Sequence, residues 1–192
     1  MDGKPIAAGK SSFDLIDFAK LQDLLKITPG ITFLDVACGA GAYTLALAEH
    51  VGPEGRLFAL DLWADGIEML IAEVQARKVG NVEAHVADVS RYMPLASDTV
   101  DLCLMATVLH DLIEDHTDQG TLQEVARVMK PGSRLAVIEF KKIDGPPGPP
   151  RGIRLSPEET DVRLQPHGFR LVTTHEVGPY NYVSLFLSLI HI

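Results

Sequence analysis

The sequence predicts a doubly wound α/β fold, and three observations carry that expectation. Short apolar runs of strand length alternate with amphipathic segments of helical period along most of the 192 residues. The first run, Phe33-Leu34-Asp35-Val36, leads through Ala37-Cys38-Gly39-Ala40-Gly41, a glycine turn of the kind that joins a strand to a helix. Three successive runs then end at or beside an aspartate: Asp35, Asp61 and Asp88.

The elements follow in order. Ser11 or Ser12 is placed to cap a first helix, with Phe13, Ile16, Leu21, Leu24 and Leu25 at helical spacing until Thr28-Pro29-Gly30 ends it. Residues 32–36 read as the first strand and 43–51 as the helix after the glycine turn. Gly52-Pro53-Glu54-Gly55 turns into a second strand over 56–60, which ends in Asp61. An amphipathic helix over 65–78 closes at Gly80-Asn81, and a third strand spans 82–86. The fourth strand covers 100–105, followed by a turn over 106–110 and a helix over 118–129. Lys130-Pro131-Gly132 leads to a fifth strand over 134–140, and Gly145-Pro146-Pro147-Gly148-Pro149-Pro150 makes a stiff loop. Ser156-Pro157-Glu158-Glu159 starts a helix, with the cap before a proline in the first turn. Residues 170–177 and 182–189, separated by Gly178-Pro179-Tyr180-Asn181, read as a closing hairpin. No repeat or boundary interrupts this order, so one domain is expected over 1–192, with residues 1–30 as a helical cap over the cleft.

Composition narrows the partners. Apolar residues make up 46% of the chain and mean hydropathy is +0.13, values of an ordinary folded domain. A net charge of −9 and a pI near 5.2 argue against a nucleic-acid backbone as the main partner. Cys38 and Cys103 fit no metal or redox spacing, and a reducing, cytoplasmic setting is expected. The apolar stretch over 183–192 is broken by Ser184, Ser188 and His191 and is too short to span a bilayer. No membrane partner is expected.

In an open parallel sheet a ligand lies across the carboxyl ends of the strands. Asp35 stands at the mouth of the glycine turn, where a dinucleotide fold receives a pyrophosphate. A carboxylate there repels phosphate and suits a ligand carrying an ammonium and a sulfonium. Thr44 also occupies the place of the third glycine of the dinucleotide pattern. Both features favour S-adenosylmethionine over NAD. Asp61 lies 20 residues after Gly41, the spacing at which an acid meets ribose hydroxyls. Asp88 can accept from an adenine amino group while the Val89 amide donates to the ring.

Leu34-Asp35-Val36-Ala37-Cys38-Gly39-Ala40-Gly41 resembles motif I of class I S-adenosylmethionine-dependent methyltransferases. Asp61, Ala87-Asp88-Val89 and Arg127-Val128-Met129-Lys130-Pro131-Gly132 match that family's later motifs, and within it the chain is most similar to the quinone-biosynthesis-like group. The resemblance implies a Rossmann-like methyltransferase fold, with a seven-stranded sheet whose last strand is antiparallel. It implies S-adenosylmethionine as cofactor and methyl transfer to a nucleophile. It places Asp35, Gly39 and Gly41 at the methionyl part, Asp61 at the ribose and Asp88 with Val89 at the adenine. Ala37 in the turn, Leu62 after Asp61 and Ala106 at the fourth strand end complete the candidate cofactor set.

The acceptor side rests on Val108-Leu109-His110-Asp111-Leu112, at the rim of the cleft. His110 is a candidate general base, with Asp111 nearby to hold its tautomer; a histidine that packs or caps the next helix is the alternative. His110, Asp111, Glu114, Asp115 and His116 also have ligand-like spacing for a divalent metal, although a solvated acidic loop explains them more simply, and no metal is expected. Arg151 and Arg154 with Lys141 and Lys142 set four cations around the proline-rich loop. They suggest an anionic small-molecule acceptor with the loop as one pocket wall, and ordinary surface charge is an equal alternative for each one singly. Ile190-His191-Ile192 has little left to pack on within one domain and suggests a homodimer contact. Methyl transfer to a small molecule is therefore the expected function, and a non-catalytic S-adenosylmethionine-binding sensor or partner subunit is the alternative.

Overall fold

The computed structural model describes residues 9–189. Seven strands, β1 (Thr32–Val36), β2 (Arg56–Asp61), β3 (Val82–Val86), β4 (Val100–Ala106), β5 (Met129–Phe140), β6 (Phe169–Glu176) and β7 (Asn181–Ser188), form one sheet in the order β3-β2-β1-β4-β5-β7-β6. β7 is inserted between β5 and β6 and runs antiparallel to both, whereas β1 to β5 pair in parallel. The expected seven-stranded sheet with an antiparallel last strand is thus present. Strand order reverses between β1 and β4, and that switch point opens the crevice in which such sheets bind ligands.

Side-chain alternation divides the core into two layers. Phe33, Leu57, Ala59, Leu102, Leu104, Ala136 and Ile138 face α1 (Phe18–Leu25), α2 (Ala42–Val51) and α3 (Ala64–Ala76). Leu34, Val36, Leu60, Cys103, Met105, Leu135 and Val137 face the other layer, which includes α5 (Asp118–Val128), Leu109 of α4 (Leu109–Glu114) and Leu164 of α6 (Pro157–Leu164). Both faces of β7 are used: Val183 joins the first cluster and Phe186 the second. Phe186 therefore needs no partner protein to cover it.

Three local expectations are corrected. The first helix begins at Phe18, and its cap is Asp17, whose side chain accepts from the Lys20 amide at 3.0 Å. Ser11 and Ser12 do not cap it. Residues 13–15 form only a 3-10 turn, and the Ser12 hydroxyl bonds elsewhere. Second, the turn expected over 106–110 already enters the six-residue helix α4 at Leu109. Third, the proline-rich loop is organised from inside by Arg154, which is 2% exposed. Its guanidinium donates to the carbonyls of Lys141, Gly145, Pro147 and Pro149 at 2.6–3.1 Å. Prolines bring carbonyls without matching N–H groups, so such a loop must take its donors from elsewhere. The suggested dimer tail, Ile190-His191-Ile192, and the first eight residues of the expected cap lie outside the described residues.

Candidate functional site

Backbone bonds draw the carboxyl ends of the first three strands into line. The Cys38 amide donates to the Leu60 carbonyl at 3.1 Å, and the Ala87 amide to the Asp61 carbonyl at 2.9 Å. A cavity of about 360 Å³ opens above them, within the range of roughly 300–1,000 Å³ usual for small-molecule sites. Asp35, Ala37, Gly39, Asp61, Leu62, Asp88, Val89 and Ala106 all line it. Gly41 does not. A Cβ at Gly41 would stand 2.3 Å from the Leu70 side chain, so this glycine lets α2 pack against α3.

Gly39 has the opposite character. Its φ is +58°, a Cβ there would meet nothing within 4 Å, and the residue lines the cavity. This is the open backbone edge that a close-lying ligand requires. Ala37 and Thr107 also have left-handed φ values, +56° and +53°, where β1 and β4 deliver the chain into the site. Non-glycine residues rarely hold this conformation, and such positions concentrate at binding sites.

Each aspartate is held differently. Asp61 accepts from the Gly39 amide through Oδ2 and from the Trp63 amide through Oδ1, both at 2.7 Å. It therefore fixes the glycine turn as well as facing the cavity. Asp88 accepts from both the amide and the hydroxyl of Ser90 and pairs with Arg91 at 3.2 Å. Asp35 is 1% exposed and accepts from the Thr44 hydroxyl at 2.6 Å. Thr44, which breaks the dinucleotide pattern in the sequence, is thus the partner of the carboxylate that distinguishes this turn. Burial raises the Asp35 pKa from 3.8 to about 7, with the nearby Asp61 charge adding to it against the Thr44 bond.

That shift fixes a pH signature. The folded pKa lies above the unfolded one, so ionisation is disfavoured in the fold and the ligand-free protein loses stability as pH rises from about 4 to about 7. Below that window both states hold the proton and the penalty vanishes. Asp35→Asn keeps an acceptor for Thr44 and removes the charge. In urea titrations it should be more stable than wild type at about pH 8 and equal to it near pH 4. An equal difference at both pH values would contradict the buried, proton-retaining Asp35.

The acceptor-side residues separate. Asp111 lines the cavity, but His110 is 4% exposed and lies behind the wall. Its Nδ1 is 2.7 Å from Glu139 Oε2, and its Nε2 is 3.5 Å from Asp111 Oδ1. Burial alone would lower the His110 pKa, but the hydrogen bond and charge of Glu139 outweigh it and the net shift is upward. Burial also raises the Asp111 pKa, against the attraction of His110.

Two features of the site were missed in the sequence. Glu139 is fully buried at the end of β5, on the face that carries Leu135 and Val137. The signal was available, since an acid at an inward strand position needs a partner. Ser12, Tyr43 and Thr107 form a second network, with Ser12 Oγ 2.9 Å from Tyr43 Oη and 3.0 Å from Thr107 Oγ1. It ties residues 9–12, which line the cavity, to α2 and to the end of β4.

The suggested cationic acceptor wall is not formed. Lys142 pairs with Glu159, Lys141 with Glu176 and Arg151 with Asp144, while Arg154 is spent on loop carbonyls. None of the four lines the cavity, and neither does the proline-rich loop; the cation that does, among the described residues, is Lys10. Among the described residues no three His, Cys, Asp or Glu side chains converge as a metal site, and no helix is long and apolar enough to cross a membrane.

An open glycine edge beside strand-end carboxylates fits a zwitterion with extra positive charge and a ribose, and it disfavours a pyrophosphate. Comparison with known proteins agrees. The profile of a family described as "Methyltransferase domain" matches residues 27–161. The chain is 31% identical over 118 residues to a 2-phytyl-1,4-naphtoquinone methyltransferase of Trichormus variabilis, covering 59% of this chain and 48% of that one. It is 30% identical over 115 residues to a demethylmenaquinone methyltransferase of Geobacillus sp., covering 60% and 47%. The chain thus spans about half the length of these curated relatives. A SAM-dependent methyltransferase from Aquifex aeolicus superposes with a TM-score of 0.83 at 31% identity, covering 92% of each chain. The family profile covers more than half of the chain, and the chain belongs to the class I S-adenosylmethionine-dependent methyltransferases.

Proposed function

We propose that this protein transfers a methyl group from S-adenosylmethionine to a small-molecule acceptor, as a cytoplasmic enzyme of one domain over 1–192 with residues 1–30 capping the cleft. One observation carries the reading: three strand-end carboxylates and the open edge of Gly39 converge on a single cavity. When bound, S-adenosylmethionine supplies an electrophilic methyl group on a sulfonium. Asp35 and the turn through Ala37 and Gly39 hold the methionyl end, with Gly41 keeping α2 close enough to support that turn. Asp61 accepts from the ribose hydroxyls with the lone pairs left over from its two backbone bonds. Asp88 and the Val89 amide read the adenine edge, while Leu62 and Ala106 supply apolar wall. Asp111 stands at the acceptor side, with His110 behind it.

The names of the relatives make naphthoquinones and their reduced quinol forms the first acceptors to test. Formation of S-adenosylhomocysteine that depends on an added acceptor is the expected result of such a screen. Asp61→Ala tests the cofactor half alone. It should weaken S-adenosylmethionine binding by roughly 1.5–3 kcal/mol, the range for hydrogen bonds to a charged group. Wild-type affinity in this variant, measured by calorimetry, would remove Asp61 from the ribose site.

A further inference from the structure

Glu139, His110 and Asp111 form a chain that runs from the core to the cavity wall. Glu139 is buried without remainder. Its Oε1 accepts from the His110 backbone amide at 3.3 Å, and its Oε2 meets His110 Nδ1 at 2.7 Å. The Asn181 side chain donates to the Glu139 carbonyl at 3.4 Å, and the Phe140 ring stands edge-on to the imidazole. The ring is therefore fixed from one side. Its other nitrogen, Nε2, is left facing Asp111 Oδ1 at 3.5 Å, and Asp111 opens onto the cavity.

The chemistry of this arrangement is constrained. A carboxylate at Nδ1 favours the tautomer with the proton on Nδ1, which leaves a lone pair on Nε2. A lone pair facing the Asp111 carboxylate is repulsive, and one proton between Nε2 and Oδ1 removes that repulsion. We propose that Glu139 is a positioning residue that turns His110 and Asp111 into a shared proton site at the cavity wall, and that the acceptor is a protic nucleophile, a hydroxyl or N–H compound, whose proton this site receives. The second half rests on the methyl-transfer reading; the first does not.

The balance is simple. As the bond between acceptor and methyl carbon forms, the sulfur–methyl bond breaks and its electron pair stays on sulfur, which becomes a thioether. The form of the site without the shared proton is the one that reacts: the proton of the acceptor passes to Asp111 and is shared with His110, and water later removes it. No oxidant or further reactant is needed. Other charges face the pair from several elements. Asp115, at the C-terminal cap of α4, raises the Asp111 pKa, Lys10 beside the cavity lowers it, and Arg154 under the loop lowers that of His110. The titration belongs to the coupled pair and not to either residue alone.

The test is nitrogen-edited NMR of the histidine rings in the full chain, with the His110 signals identified from their loss in His110→Gln. In wild type Nδ1 should remain protonated across the titration, while Nε2 titrates above the ordinary histidine value. Glu139→Gln keeps an acceptor for Nδ1 and removes the charge. It should move the His110 midpoint down by roughly one pH unit or more, a size usual for loss of a contacting opposite charge. Asp111→Asn should move it down as well, and it leaves the buried pair intact if Glu139→Gln fails to fold. A neutral ring protonated on Nε2 in wild type, or an unmoved midpoint in Asp111→Asn, overturns the shared site. Titration with S-adenosylhomocysteine in the same samples separates the two claims: no binding by wild type would sink the methyl-transfer reading and leave the proton site standing.

Discussion

Replacing Gly39 by valine is expected to remove S-adenosylmethionine binding while the sheet still forms. The position has two independent demands. Its backbone is left-handed at φ +58°, and a Cβ would meet no protein atom within 4 Å at a residue that lines the cavity. A branched side chain would fill the space a ligand needs, and it would do so without striking the core. Strain from the positive φ should cost about 1–3 kcal/mol of stability, less than a typical domain holds in reserve. Affinity should fall by at least about 100-fold, or roughly 2.7 kcal/mol. Gly41→Val gives the contrast. Its side chain would run into Leu70, so that variant should lose folding instead. Calorimetry and circular dichroism on both proteins read the difference. A folded Gly39→Val variant with wild-type affinity would mean the ligand does not lie against this turn.

Loss of the acceptor-side base should have an effect of similar size on turnover. Asp111→Asn removes the cavity-facing carboxylate, and methyl transfer should fall by roughly 10²–10⁴-fold, the usual contribution of a general base. Affinity for S-adenosylmethionine should change little. His110→Ala should reduce transfer over the same range, but it also leaves Glu139 buried without its partner, a loss of about 3–5 kcal/mol. Asp111→Asn is the cleaner variant for that reason. The effect requires an acceptor that must give up a proton; an acceptor already ionised in solution relies on positioning alone. Wild-type turnover of a protic acceptor by Asp111→Asn would remove this carboxylate from the chemistry.

Legibility in the sequence followed the range of the interactions. β1 and β3 have the bounds expected from their apolar runs, and the helix expected at Ser156-Pro157-Glu158-Glu159 starts there with Ser156 as its cap. These features depend on neighbours within a few positions. The cofactor side was readable for a similar reason: parallel strands place their carboxyl ends together, so strand ends alone bring Asp35, Asp61 and Asp88 to one cavity. What was not readable depends on distant partners. Ser12 looked like a cap because a hydroxyl before an apolar run usually is one, yet its partners are Tyr43 and Thr107, 31 and 95 residues away. Arg154 reads in the sequence as an acceptor-binding cation or as surface charge, because nothing local shows that four loop carbonyls will surround it. His110 and Glu139 are 29 residues apart, and only the pairing of β4 with β5 and the short helix after β4 bring them together. That helix, α4, has six residues, too few for its period to stand out.

Calorimetric titration of the wild-type protein with S-adenosylmethionine and, separately, with NADH tests the identity of the ligand most directly. Both molecules carry adenosine and could enter a cleft at the switch point of such a sheet. They differ in what they bring to Asp35 and the glycine turn, a methionyl group with an ammonium and a sulfonium beside its carboxylate against a pyrophosphate. Saturable one-to-one binding of S-adenosylmethionine, with no saturable heat from NADH, is the expected result. Saturable binding of NADH, or none of S-adenosylmethionine at millimolar concentration, would contradict it.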